Sequence, residues 1–130
     1  MPTMFTDFRL DSIGQIYLSV QDLPRAVAFY RDVLSMKLLF EVPAQSMAFF
    51  DCSGIHLYLG VPENPDFRSH PVIYYRVGSI GDACAALQDR GVTFADEPHV
   101  VHRTDSHELW MAGFRDPDDH YVSLMSEVPA

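Results

Sequence analysis

The stretch QIYLSVQDLPRAVAFYRDVL, residues 15–34, changes its hydrophobic period in the middle. Residues 15–20 alternate, with Ile16, Leu18 and Val20 on one side and Gln15, Tyr17 and Ser19 on the other, the period of a half-buried strand. Asp22 then reads as a helix N-cap, and Pro24 sits in the first turn, where a missing N–H costs nothing. Leu23, Val27, Tyr30 and Leu34 follow at spacings of four, three and four, the stripe of an amphipathic helix. The stretch is therefore a strand feeding a helix.

Three more strands are expected after it, in KLLFEVP (37–43), SMAFFDC (46–52) and GIHLYLG (54–60), punctuated by Pro43 and the DCSG turn. The proline-rich segment VPENPDFRSHP (61–71) reads as a linker, and then the order returns. VIYYRV (72–77) is a strand, and Ser79 with Asp82 forms a capping box. A helix through Ile80, Cys84 and Leu87 stops at Gly91, which suits a left-handed C′ position. Strands are expected around 92–97, 108–114 and 120–125. The fold class is α+β: two tandem βαβββ units, 13–60 and 72–126, within a single domain spanning 1–130.

Parity separates the faces. Ile16, Leu18, Val20, Ile55, Leu57, Leu59, Ile73, Tyr75, Val77, Val122 and Leu124 form an apolar face that should pack beneath the two helices. Gln15, Tyr17, Ser19, His56, Tyr58, Val72, Tyr74, Arg76, Ser123 and Met125 form the other. That second face is either solvated or the lining of a curved cup for a small ligand; three phenols on it favour the cup.

Composition narrows the partners. Nine basic against eighteen acidic side chains give a net charge of −9, which disfavours nucleic acid and anionic membranes. Cys52 and Cys84 form no CxxC and read as reduced packing residues, as in a cytoplasmic protein, with a disulfide the weaker reading. MPTMFTDFRLDSIG lacks the pattern of a signal peptide, and no apolar run reaches the length of a membrane span.

The paired units, the element V-x-D-L-x-x-A-x-x-F-Y-x-x-V-L and the closing DPDDHYVSLM resemble the vicinal oxygen chelate superfamily of glyoxalases, bleomycin-resistance proteins and extradiol dioxygenases. The resemblance implies a small-molecule cleft and, often, a homodimer. Its metal-using members take ligands from the first and last strands of each unit, here Gln15, His56, Val72 and Ser123. Val72 has no donor and Ser123 is a poor one, so two of four positions survive and no metal cofactor is expected. A divalent site on Gln15 and His56 would need a third ligand, with His70, His102 and His120 as candidates. Asp116 and Pro117 start a turn, and Asp119 stands where the family has glycine. His120 reads as a solvated strand-start residue, with a role at the cup rim as the alternative.

His56 is the candidate acid/base residue, or else a hydrogen-bond partner of a buried ligand. Gln15, Tyr17, Tyr58, Tyr74 and Ser123 would line the ligand. Arg76 would hold an anionic group or pair with a nearby acid. In EPHVVHRTDSHELWM (97–111) the inward face is ambiguous because Pro98 breaks parity. There His102 is a pocket candidate against a plain surface hairpin, and Trp110 is a ligand platform, a core residue or an interface residue. Met47–Phe50 serves as core or dimer seam. Three activities remain open: a metal-independent isomerase or lyase acting on a small anionic or carbonyl substrate, a protein that sequesters a drug or metabolite, and a metal-dependent lyase or dioxygenase.

Overall fold

The computed structural model describes residues 8–130; the first seven residues of the segment read against a signal peptide lie outside the described residues. The first unit comprises β1 (Gln15–Ser19), α1 (Leu23–Ala28), β2 (Lys37–Val42), β3 (Met47–Cys52) and β4 (Ile55–Gly60). The second comprises β5 (Ile73–Arg76), α2 (Ile80–Asp89), β6 (Phe94–Arg103), β7 (His107–Arg115) and β8 (Tyr121–Pro129). Each unit folds into its own four-stranded sheet, ordered β1-β4-β3-β2 and β5-β8-β7-β6. The expected α+β architecture of paired βαβββ units is what the chain adopts. In both sheets the first strand lies parallel to the last, and the remaining pairs are antiparallel.

Local chemistry explains the junctions. Asp22 caps α1, its Oδ1 accepting from the Arg25 amide at 3.0 Å, and Ser79 caps α2, its Oγ accepting from the Asp82 amide at 3.2 Å. Gly91 has φ +91°, the left-handed conformation expected just beyond a helix end. Ser53 and Gly54 both have positive φ, which suits a two-residue turn between strands whose twist matches it, and this turn fixes Cys52 opposite Ile55. Asp119 is left-handed at φ 67°, as its place in the turn requires. Between β4 and β5 no regular element forms.

The helix of the first unit is shorter than its stripe. After Ala28 the backbone widens into a π-helical turn, Phe29–Val33. Tyr30 is fully buried in the first core, while Phe29 packs against both cores. One core holds Leu18, Val27, Tyr30, Phe50, Leu57 and Leu59; the other holds Ile80, Cys84, Leu87, Phe114, Val122 and Leu124. These are the apolar faces anticipated from period two, and α1 and α2 cover them. Ala48 and Phe50 belong to the core, which settles half of the Met47–Phe50 segment.

Polar ties join the units. The Tyr30 hydroxyl donates to Asp116 Oδ2 at 2.7 Å, and Arg90 Nη1 donates to the Val33 carbonyl and to Ser35 Oγ, each at 2.7 Å. His120 lies 2.7 Å through Nε2 from the Ser19 carbonyl. It is 8% exposed, so the expectation of a solvated strand-start histidine is corrected. A contact across 101 positions covers it. A carbonyl only accepts, so Nε2 carries the proton.

Candidate functional site

Opposite the helix-packed Leu57 and Leu59, β4 presents His56 and Tyr58. Gln15 is the register partner of His56 on β1 and Tyr17 that of Tyr58, so these four share one face. On the other side of β4, Asp51 faces His56 and Phe49 faces Tyr58, and Phe40 faces Phe49 in turn. The result is a file of rings across the sheet. Phe40 stacks on Phe49 at 4.7 Å, Phe49 stacks on Tyr58 at 4.7 Å, and Tyr58 meets Tyr17 edge-on at 4.8 Å. Phe67, from the linker, closes the file 6.1 Å from Tyr17. Gly60 lies under it: a Cβ there would come within 2.9 Å of both tyrosine rings, so the rings rest on bare backbone.

The Tyr17 phenol is a donor, not a base. Tyr17 donates to the Gly60 carbonyl at 3.0 Å. Burial, and secondarily the neighbouring Tyr58, holds its pKa above the ordinary value, so it stays protonated at neutral pH. The His56 imidazole is half-buried, with its ring 6.0 Å from Phe49, and makes no hydrogen bond among the described residues. A cavity of about 840 Å³ opens at one end of this face, between Tyr17, Tyr58, Phe67 and the Ala44–Met47 turn.

The second unit repeats the pattern with other groups. Tyr74 is the register partner of Ser123 on β8, and Arg76 that of Met125. Tyr74 is exposed. Arg76 lies 3.5 Å from Glu127, and both side chains are largely exposed, so the ion-pair reading describes its placement. Ser123 is buried, its Oγ turned toward the Ala112 carbonyl at 3.5 Å. The Tyr121 ring lies across Gly113, where any Cβ would collide with it. Burial, and then the charge of Asp96, raises the Tyr121 pKa.

The ambiguous hairpin resolves by pairing, because directly opposed residues of an antiparallel pair share a face. His102 faces Leu109, which alternates with Trp110, so His102 lies on the Tyr74 side of the sheet, at its exposed outer edge. Trp110 does not. It shares its face with Ala112 and Phe114, packs against the core beneath α2, and donates through Nε1 to Glu108 at 3.2 Å. Of its three readings the core one describes its placement and the ligand platform on the cup is corrected: β7 runs in unbroken register with β8, so Trp110 keeps the parity of Ala112 and Phe114 and follows them beneath α2.

Gln15, Tyr17, His56 and Tyr58 are thus brought together, and so, separately, are Tyr74, Arg76 and Ser123. The cavity beside Tyr17 and Tyr58 is lined by none of Tyr74, Arg76 and Ser123. Sequence reasoning missed Phe40, Phe49 and Phe67 as walls; the Ser53–Gly54 turn held the signal for Phe49, since it fixes the register of β3 on β4. The donors at the four positions a metal would use do not fit one. Val72 has none, Ser123 is turned to a backbone carbonyl, and among the described residues no three His, Cys, Asp or Glu side chains converge.

Comparison with known proteins agrees with this fold. Residues 12–124 match the Glyoxalase/Bleomycin resistance protein/Dioxygenase superfamily. The metallothiol transferase FosB of Lysinibacillus sphaericus (strain C3-41) is 30% identical over 115 residues, covering 85% of this chain and 79% of that protein. Among solved structures, the lactoylglutathione lyase from Agrobacterium tumefaciens superposes with a TM-score of 0.74 at 20% identity, over 91% of this chain and 95% of that one. A superfamily member from Sphaerobacter thermophilus DSM 20745 gives 0.74 at 21% identity, over 90% and 98%. Two βαβββ units, the match across nearly the whole chain and the transferase relative lead to one assignment: this chain belongs to the Glyoxalase/Bleomycin resistance protein/Dioxygenase superfamily.

Proposed function

We propose that this chain captures a small, planar, ring-bearing molecule, neutral or cationic, on the aromatic face of its first unit, using side chains alone and no metal. The single observation that carries the reading is the file from Phe40 through Phe49, Tyr58 and Tyr17 to Phe67. Aromatic side chains at a cavity favour a ring-bearing ligand, and a net charge of −9 favours a cation over an anion. Arg76, largely exposed beside Glu127 on the second sheet, does not line the cavity next to these rings.

The two lining sets lie on separate sheets, and the cleft is completed when the first unit of one copy meets the second unit of another. The relative's name places a metal and a thiol in that protein's chemistry; Val72 and Ser123 cannot reproduce such a centre here, so capture and not metallothiol transfer is the reading for this chain. A second reading has its own support. His56 sits in register between Gln15 and Asp51, where it would serve as a lone base for a metal-independent isomerase or lyase.

Native mass spectrometry of protein exposed to a metabolite extract, before and after chelator dialysis, tests the proposal. Expected is a retained ring-bearing ligand, unaffected by the chelator, carried by a dimer and lost in Tyr58→Ala. His56→Ala should keep the ligand. Retention dependent on stoichiometric metal would overturn the capture reading. Turnover of the bound molecule, abolished in His56→Ala, would transfer the assignment to the second reading.

A further inference from the structure

A second cavity, of about 360 Å³, opens between the two cores on the helix-covered side of the sheets. The chain leaving the π-helical turn, the end of β3, β5 and α2 form its walls, and none of its lining residues also lines the cavity beside Tyr17 and Tyr58. Leu34, Met36, Tyr75 and Val77 stand half-buried in it over a floor of Leu87 and Phe114. Its volume falls within the range of small-molecule sites, and its half-buried walls are apolar surface that a ligand would cover.

In a chain of net charge −9, the one charged side chain lining this cavity is a cation, Arg90. It is exposed, and it enters no ion pair among the described residues. Its Nη1 donates to the Val33 carbonyl and to Ser35 Oγ, each at 2.7 Å, and Val33 and Ser35 line the cavity as well. The guanidinium is thereby fixed at the rim. Ser35 is itself held left-handed at φ 59°, a conformation uncommon for any residue but glycine, so the rim has a defined shape. Both Nη1 hydrogens are spent, while Nε and Nη2 make no hydrogen bond among the described residues. That remaining edge is the planar fork that matches a carboxylate with two parallel bonds.

A cationic ligand would meet Arg90 and no acid, and a ligand with several anionic groups would find a single cation. A wholly apolar ligand would fill the walls and leave the fork to water. A monocarboxylate with an apolar chain answers both surfaces. We propose that this cavity is a second ligand site, separate from the ring-bearing face, that takes a small amphiphile of the fatty-acid class, its chain along Leu34, Met36 and Val77 and its carboxylate forked on Nε and Nη2 of Arg90.

The test is a calorimetric titration of the full-length protein with octanoate. Octanol, octylammonium and acetate are the controls, which lack the charge, reverse it, or lack the chain. Cys52, a free and partly exposed thiol in the cavity wall, reports the location: its alkylation by iodoacetamide, read by peptide mass mapping, should slow as octanoate saturates. Octanoate is expected to bind saturably and about tenfold or more tighter than octanol, with octylammonium and acetate inert at the same concentration. Arg90→Gln should erase the preference for octanoate while octanol binds as before, a split that general loosening of the fold would not produce. Should that variant misfold through loss of the bonds to Val33 and Ser35, Ala86→Phe decides the matter alone: at an exposed position of α2 it fills the cavity, and octanoate binding should weaken. No saturable binding, octanol equal to octanoate, an unprotected Cys52, or wild-type octanoate affinity in either variant would overturn the proposal. Cys52 protection that rises with protein concentration and needs no octanoate would give the cavity to a second copy of the chain, and would overturn it too.

Discussion

Tyr30 shows how much a single side chain does here. Its ring lies between the first core and the Phe29 ring, 5.5 Å away, and its hydroxyl reaches into the second unit to Asp116. Removing that hydroxyl leaves a buried carboxylate oxygen short of a donor. Tyr30→Phe is therefore expected to lower stability by about 1–3 kcal/mol in urea unfolding at neutral pH. Burial, followed by the Asp116 charge and its hydrogen bond, holds the Tyr30 phenol well above its ordinary pKa. The folded state thus keeps a proton that the unfolded chain loses from about pH 10 upward, so stability is full below that value and falls above it. The alkaline decline should be shallower in Tyr30→Phe; equal slopes would show that this phenol is not responsible. From the sequence, period two was enough to put Gln15, Tyr17, His56 and Tyr58 on one face. It could not reveal that His120 is buried, because the residue covering it, Ser19, is remote in the chain.

At the level of elements, the strand–helix entry was legible because cap, proline and stripe agreed. Asp22 and Pro24 begin α1 where the spacing predicts. The π-helical turn was not legible, since nothing in a spacing of three and four announces a widened turn. Its effect is to let adjacent rings, Phe29 and Tyr30, both point inward. The cap should matter more than in a longer helix, because α1 has only six residues before the turn. Asp22→Ala is expected to cost about 1 kcal/mol, read as a lowered midpoint of thermal unfolding. An unchanged midpoint would mean that packing alone fixes the helix start. The hairpin of β6 and β7 marks the opposite limit: irregularities along β6 shift the pairing, so the face of His102 could not be counted through Pro98.

For the whole molecule, the tandem units were readable, but their relation was not. Each unit closes its own sheet, and what binds them is side-chain chemistry at long separation: Tyr30 to Asp116, Arg90 to Val33 and Ser35, Gln21 to Asp118. Phe29 and Leu34 also pack on both cores. Units so joined should unfold together. Trp110 fluorescence, which reports on the second unit, is expected to coincide with far-ultraviolet circular dichroism in a single denaturant transition; separated midpoints would show the units to be independent.

The segment between the units does more than span a gap. Ser69 exchanges hydrogen bonds with Ser19, its amide donating to Ser19 Oγ at 2.9 Å and its Oγ accepting from the Ser19 amide at 2.8 Å, and Phe67 leans on Tyr17. The connector is thereby a fitted shutter over one margin of the first sheet. Rewriting it would alter what that sheet admits, so selectivity can be tuned by editing a tether while every strand stays as it is.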